Sequence, residues 1–238
     1  MTVAVTFDAG QTLLRLDPRL LSTRLAERDV EVSPPALEMA EAAAWRAYEQ
    51  AVARPDDVPG GAWQTFMRAL LRGAAPMMGE PRAAELAAWL FAEQPRRNLW
   101  RRLTPGILDV VDELRAARVP VAVVSNSEGR LAELLDEISI GDRFAAVADS
   151  GRLDVEKPDP RIFDWVAAEL HVPPTAIVHV GDSWGADVVG ARNAGARAIW
   201  FGPAAHEGAA AGDPAVACAA DAAALRDALV RWAVLPAR

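Results

Sequence analysis

Val119-Pro120-Val121-Ala122-Val123-Val124-Ser125-Asn126 is an apolar, β-branched run that stops at two polar residues. Branched side chains suit a pleated, buried surface, so Val119 to Val124 predicts a strand with Ser125 and Asn126 at its tip. Working outward, Thr104 followed by Pro105 predicts a capped helix before this strand, and Ser127 opens one after it. A strand over Phe144 to Ala148 follows, then a helix with Asp159 as cap and Pro160 at its first position, then a strand over Ala176 to Val180. A helix from Asp187 to near Gly195, a strand over Ala196 to Phe201, a short strand near Ala215 to Ala219 and a helix over Asp221 to Trp232 complete the rhythm. Strand and helix alternating at this spacing predict crossover connections, hence an α/β, Rossmann-like parallel sheet with helices on both faces. Thr2 to Phe7, ending at Asp8, has the same strand character and belongs to that sheet.

Between these parts the period becomes helical. Asp17 precedes Pro18 and Ser33 precedes Pro34, two cap-and-proline starts, and further helices are predicted near Ala62 to Leu71 and Arg82 to Ala92. The expected organisation is a discontinuous core, residues 1–14 and 100–238, with an inserted helical-bundle cap over 15–99. Trp45, Trp63 and Trp89 are expected to anchor the bundle core. The Ala-rich stretch Ala204 to Ala224 is expected to be a loop and the start of the last helix.

The 238 residues are 52% hydrophobic and 24% charged, a globular composition, and no apolar run approaches the roughly 18 to 20 residues of a membrane span. A formal charge of -8 disfavours nucleic acid and anionic membranes as partners. Cys218 is the one cysteine, so no internal disulfide can form, and Met1 to Gly10 has no signal-like character; a cytoplasmic protein is expected. Of 25 basic residues 24 are Arg, so Lys157 is the one lysine, which marks a place where a compact ammonium is needed.

Ligands of an open parallel sheet bind beyond the carboxyl ends of its strands. There the sequence places Asp8, then Ser125 and Asn126, then Gly181, Asp182 and Ser183 with Asp187 five residues past Asp182, and Lys157 in the loop before Pro160. Three carboxylates and one ammonium sum to -2, which is costly in a partly dry cleft without a cation. Mg²⁺, with its preference for hard oxygen ligands, suits that set. His171, His179 and His206 fit no metal spacing, and His179, inside an apolar strand, is expected to be a satisfied core histidine. With the metal, one carboxylate can attack phosphorus while Lys157, Ser125 and backbone N–H groups hold the phosphoryl oxygens, an aspartyl-phosphate mechanism.

The ordered set Asp8-x-x-x-Thr12-Leu13, Ser125-Asn126, Lys157-Pro158 and Gly181-Asp182-x-x-x-x-Asp187 resembles the haloacid dehalogenase (HAD) superfamily from end to end. The inserted helices resemble the four-helix cap of its small-molecule phosphatases, phosphonatases and 2-haloacid dehalogenases. The resemblance implies Asp8 as nucleophile, Ser125 as phosphate-binding hydroxyl and Lys157 as charge stabiliser. It implies a substrate-binding set of Thr12, Ser125, Asn126 and Lys157, and a Mg²⁺ site of Asp8, the Gly10 carbonyl and Asp182 supported by Asp187. The substrate implied is a small phosphorylated metabolite, with cap residues such as Arg24, Trp45, Arg46 and Tyr48 as candidates for selectivity.

One position departs from the pattern. The second Asp, two residues after the nucleophile, serves related phosphatases as general acid and base; here it is Gly10, followed by Gln11 where Gly is common. Losing that help costs about 10² to 10⁴ in rate and falls hardest on poor alkyl leaving groups. The expected activity is therefore Mg²⁺-dependent phosphohydrolysis, slow or limited to activated leaving groups. A non-catalytic, phosphometabolite-binding protein is the alternative, and 2-haloacid dehalogenation is disfavoured because Asp182 and Asp187 are both kept.

Overall fold

A computed structural model describes residues 3–52, 54, 61–203, 205 and 212–237. In chain order the elements are β1 (Ala4–Phe7), β2 (Leu14–Leu16), α1 (Pro18–Ala26), α2 (Pro34–Val52), α3 (Gly61–Ala74), α4 (Glu80–Glu93), β3 (Trp100–Leu103), α5 (Ile107–Ala116), β4 (Val121–Ser125), α6 (Leu131–Glu137) and β5 (Val147–Asp149). They continue with α7 (Ser150–Leu153), α8 (Arg161–Glu169), β6 (Ile177–Gly181), α9 (Val189–Asn193), β7 (Arg197–Phe201), β8 (Val216–Ala219) and α10 (Ala222–Arg231). The chain divides into two compact units, Met1–Arg15 with Trp100–Arg238, and Leu16–Leu99. Thr2 of the first expected strand, His206 and much of the Ala-rich stretch lie outside the described residues.

The first unit holds a six-stranded sheet in the order β5-β4-β1-β6-β7-β8, each neighbouring pair parallel. β1, β4 and β6 are buried along their whole length, as a sheet covered on both faces requires. On one face Ala4, Ala122, Val124 and Ala148 pack with Ile162, Phe163 and Val166 of α8. β1 lies between β4, which the chain continues outward to β5, and β6, which it continues outward to β7 and β8. The order therefore reverses at β1, and the carboxyl ends of β1, β4 and β6 flank the crevice this topology creates.

The second unit is helical. Asp17 caps α1 by accepting from the Arg19 and Leu20 amides at 2.9 and 3.1 Å, and Ser33 Oγ accepts from Ala36 N at 3.4 Å. Its buried core is Leu21, Leu25, Leu37, Phe66, Met67, Leu70, Leu71 and Leu86. The tryptophans stand at its rim, only partly buried. Trp45 packs on Tyr48 and Phe66, Trp63 on Phe91, and Trp89 carries the guanidinium groups of Arg24 and Arg28, each 4.6 Å from its ring. Arg24, a selectivity candidate, is buried within this unit and paired with Glu27 and Glu93, so its charge is spent on holding helices together.

Several expected boundaries shift. α5 starts at Ile107, after Gly106 at φ 74°, and Thr104 Oγ1 is buried with no partner among the described residues instead of capping. α6 starts at Leu131, leaving 126–130 as a loop, and the strand expected over Phe144 to Ala148 is the shorter β5. The two-stranded pairing of β2 with β3 was not expected from sequence.

Candidate functional site

β1, β4 and the loop before α8 bring three predicted residues into direct contact. Asp8 follows β1 and is buried; Ser125 Oγ donates to its Oδ1 at 2.9 Å, and Lys157 Nζ donates to the same oxygen at 2.5 Å. Lys157, also buried, donates further to Asp187 Oδ1 at 2.5 Å and to the Val124 carbonyl at 2.8 Å. One ammonium thus satisfies two carboxylates and the end of β4. The Asn126 amide accepts from Lys157 N at 2.8 Å and donates to Lys157 O at 2.9 Å, so it clamps the backbone that carries the ammonium.

Asp187 reaches the site through a single π-helical turn, Trp184–Val188, a wide turn of the kind concentrated at functional sites. Ser183 starts it, donating its amide to Asp187 Oδ2 at 2.9 Å and accepting from the Asp187 amide at 2.9 Å. The carboxylate folds back over Gly181: a Cβ there would overlap its carboxyl carbon and Oδ2, so the position admits only glycine. Asp182 is partly exposed, and its carbonyl accepts from Trp200 Nε1 at 2.8 Å, which ties the loop to β7. Behind Asp187 lies His179, fully buried, with Nε2 3.0 Å from Asp187 Oδ1 and Nδ1 2.9 Å from Thr6 Oγ1.

Asp8, Asp182 and Asp187 each offer a carboxylate oxygen, and these atoms lie within 4.8 Å of one another. A purely oxygen donor set of this charge, with His179 committed to Asp187 and Thr6, fits a hard divalent cation such as Mg²⁺ and does not fit zinc. Burial disfavours the Lys157 ammonium, but Asp187 and Asp8 outweigh burial and hold its pKa above the usual lysine range. Burial also opposes the Asp187 anion, yet Lys157 and His179 hold its carboxyl well below the usual range. For Asp8 burial wins over the pull of Lys157, with Asp187 adding to it, and the carboxyl is raised.

The Asp8 shift has a stability consequence. Its folded-state pKa exceeds the unfolded value of about 3.9, so ionising it costs stability as pH rises from that value to the raised one, and the cost is constant above. Asp8→Asn lacks this cost. In metal-free buffer the melting temperature of Asp8→Asn minus that of the wild type is expected to increase with pH across that window and then level off. A difference that shrinks with rising pH would reverse the assignment.

The remaining predicted residues separate. Thr12 is fully buried, and among the described residues its hydroxyl has no hydrogen-bond partner. Gly10 is partly exposed and its φ lies outside the left-handed region. A Cβ on it would be 3.8 Å from Asp8 Oδ2 and 4.0 Å from the Trp100 indole, ordinary contacts. The left-handed residue is Gln11, at φ 55°.

Asp149 went unnoticed in the sequence. Its buried carboxylate accepts from Gly129 N and Gly151 N, both at 3.0 Å, and from Leu131 N at 2.9 Å, which fastens the loop that follows Ser125 and Asn126. An Asp before Ser-Gly carries only an ordinary turn or cap signal.

The sequence pattern of haloacid dehalogenase-like hydrolases matches residues 3–195. The chain is 30% identical over 203 residues to human haloacid dehalogenase-like hydrolase domain-containing protein 3, covering 80% of this chain and 78% of that one. It is 35% identical over 129 residues to a phosphoserine phosphatase from Thermus thermophilus, covering 54% of this chain and 49% of the relative. A HAD family hydrolase from Deinococcus radiodurans, crystallised with phosphate and sodium, shares the fold at TM-score 0.65 and 22% identity, covering 100% of this chain and 99% of that one. The family pattern thus spans most of the chain, and this chain belongs to the haloacid dehalogenase-like hydrolases.

Proposed function

We propose that the chain is a Mg²⁺-dependent phosphohydrolase that acts on a small phosphorylated metabolite through an aspartyl-phosphate at Asp8. The observation that carries this reading is the division of labour on the Asp8 carboxylate. Oδ1 is held by Ser125 Oγ and Lys157 Nζ, while Oδ2 is the oxygen nearest the Gly10 position. Among the described residues the hydrogen bonds to this carboxylate go to Oδ1, and an oxygen fixed by its partner atom is poised for attack. A bond forms from Asp8 to phosphorus, the bond to the leaving oxygen breaks, and that oxygen departs with the electron pair; water then cleaves the acyl phosphate to regenerate Asp8. Lys157, charged and buried, and the Ser125 hydroxyl balance charge on the phosphoryl oxygens. Bound Mg²⁺ would neutralise the acidic cluster and draw charge from the phosphoryl group.

With Gly10 in place of an acid, the leaving group must depart unprotonated by this chain, which selects aryl phosphates, acyl phosphates and anhydrides over alkyl esters. A relative named a phosphoserine phosphatase supports phosphate as the group transferred. The test is a leaving-group panel assayed with Mg²⁺ and with EDTA. Metal-dependent phosphate release from aryl or acyl phosphates is expected; metal-independent turnover, or halide release from a 2-haloacid, would overturn the reading. The second reading, binding without turnover, rests on Gly10 and predicts phosphate affinity with no release from any member of the panel.

Lys157→Arg is expected to lower activity by well over about tenfold with the fold kept. Nζ meets Asp8, Asp187 and the Val124 carbonyl at 2.5 to 2.8 Å in a buried space that a planar guanidinium overfills. Arginine working as well as lysine would remove Lys157 from its role.

A further inference from the structure

We propose that His179, held by Thr6, is a positioning residue that orients Asp187 and thereby sets the affinity of the acidic cluster for Mg²⁺. The inference rests on the metal-dependent reading above and adds a residue outside the motifs that carry it. In the parallel register of β1 and β6, Thr6 lies directly beside His179. The imidazole is fully buried, and the edge-to-face ring of Phe163, 5.0 Å away, fixes its plane.

A carboxylate can only accept, so Nε2 carries the proton toward Asp187 Oδ1, while Nδ1 pairs with the Thr6 hydroxyl. Asp187 is thus held at three points: Lys157 and His179 on Oδ1, and the Ser183 amide on Oδ2. Among the described residues, Lys157 and the imidazole are the side chains that fix Oδ1. Remove it and Oδ1 answers to Lys157 alone, so the carboxylate loses one of the three points that fix its direction in the cluster.

Outer partners of metal-site ligands typically account for about 10- to 100-fold in metal affinity. Calorimetric titration of the full chain with Mg²⁺ tests the proposal on wild type, His179→Leu, His179→Gln and Thr6→Val. His179→Leu is expected to raise the Mg²⁺ dissociation constant by about 10- to 100-fold. His179→Gln, whose amide N–H reaches the Nε2 position, is expected to restore most of the affinity, and Thr6→Val to fall between. At saturating Mg²⁺ the KM of His179→Leu for an aryl phosphate should equal that of the wild type, a split that general loosening would not give.

Unchanged Mg²⁺ affinity in His179→Leu, or a glutamine no better than leucine, overturns the proposal. Should His179→Leu fail to fold, Thr6→Val decides, and an unchanged constant there overturns it equally. A wild type that binds no Mg²⁺ removes both this proposal and the metal-dependent reading. A wild type that binds Mg²⁺ without turnover, with these variant effects intact, removes the phosphohydrolase reading alone.

Discussion

Asp8→Asn is expected to reduce phosphate release by about 10⁴-fold or more, the scale on which loss of a covalent nucleophile acts. The amide is nearly isosteric, so the fold and the Ser125 contact persist. What disappears is the anion that must bond to phosphorus. The same change takes the metal-free cluster of Asp8, Asp182, Asp187 and Lys157 from -2 to -1, so the variant is expected to be inactive and, at neutral pH without metal, more stable than the wild type. Phosphate release and thermal melting on one preparation check both signs. Retained activity in Asp8→Asn would exclude Asp8 as the nucleophile.

Gly10→Asp is expected to raise turnover of alkyl phosphates by about 10² to 10⁴ and that of aryl phosphates much less, because a proton donor matters most where the leaving oxygen is most basic. The backbone permits the change, since Gly10 is not left-handed and the nearest atoms to a new Cβ are Asp8 Oδ2 at 3.8 Å and the Trp100 indole at 4.0 Å. The new carboxyl would stand beside an anionic neighbour that raises its pKa, as an acid working near neutrality requires. It also takes the metal-free cluster to -3, so Mg²⁺ must be saturating. Gly10→Ala is the control for shape. If it folds and binds Mg²⁺ while Gly10→Asp gains nothing on any leaving group, the missing acid is not what limits the rate, and binding without turnover becomes the better account.

The parallel sheet was legible because β1, β4 and β6 are buried on both faces and therefore spelled as unbroken apolar runs. Asp8 and Ser125 were legible because they interrupt such runs at strand tips, and Lys157 because it is the one lysine among arginines. β2 and β3 were not: Leu14–Leu16 is too short for its alternation to stand out, and in Trp100–Leu103 two successive arginines break it.

Thr104 looks like a cap, but Gly106 in a left-handed conformation starts α5 two residues later. Asn126 sits where a substrate ligand would, and only the fold shows that the Lys157 backbone occupies its amide. His179 was rightly placed in a strand. Its neighbours, however, come from the β1–β6 register and from a turn eight residues on, which no local pattern reveals. The tryptophans, expected to anchor the bundle core, are only partly buried, and aliphatic residues, Phe66 and Met67 fill that core.

The absence of an acid-base group at position 10 should slow the attack of water on the acyl phosphate as well as the departure of poor leaving groups, so the intermediate should accumulate. The most direct measurement is therefore rapid quenching of the wild type with Mg²⁺ and an acyl phosphate, followed by mass analysis of the peptide that carries Asp8. The account predicts that this peptide gains the mass of one phosphoryl group before steady state, that alkali removes it, that Asp8→Asn never acquires it, and that Gly10→Asp holds less of it. Phosphate released at full rate while the Asp8 peptide stays unmodified at every quench time would contradict it.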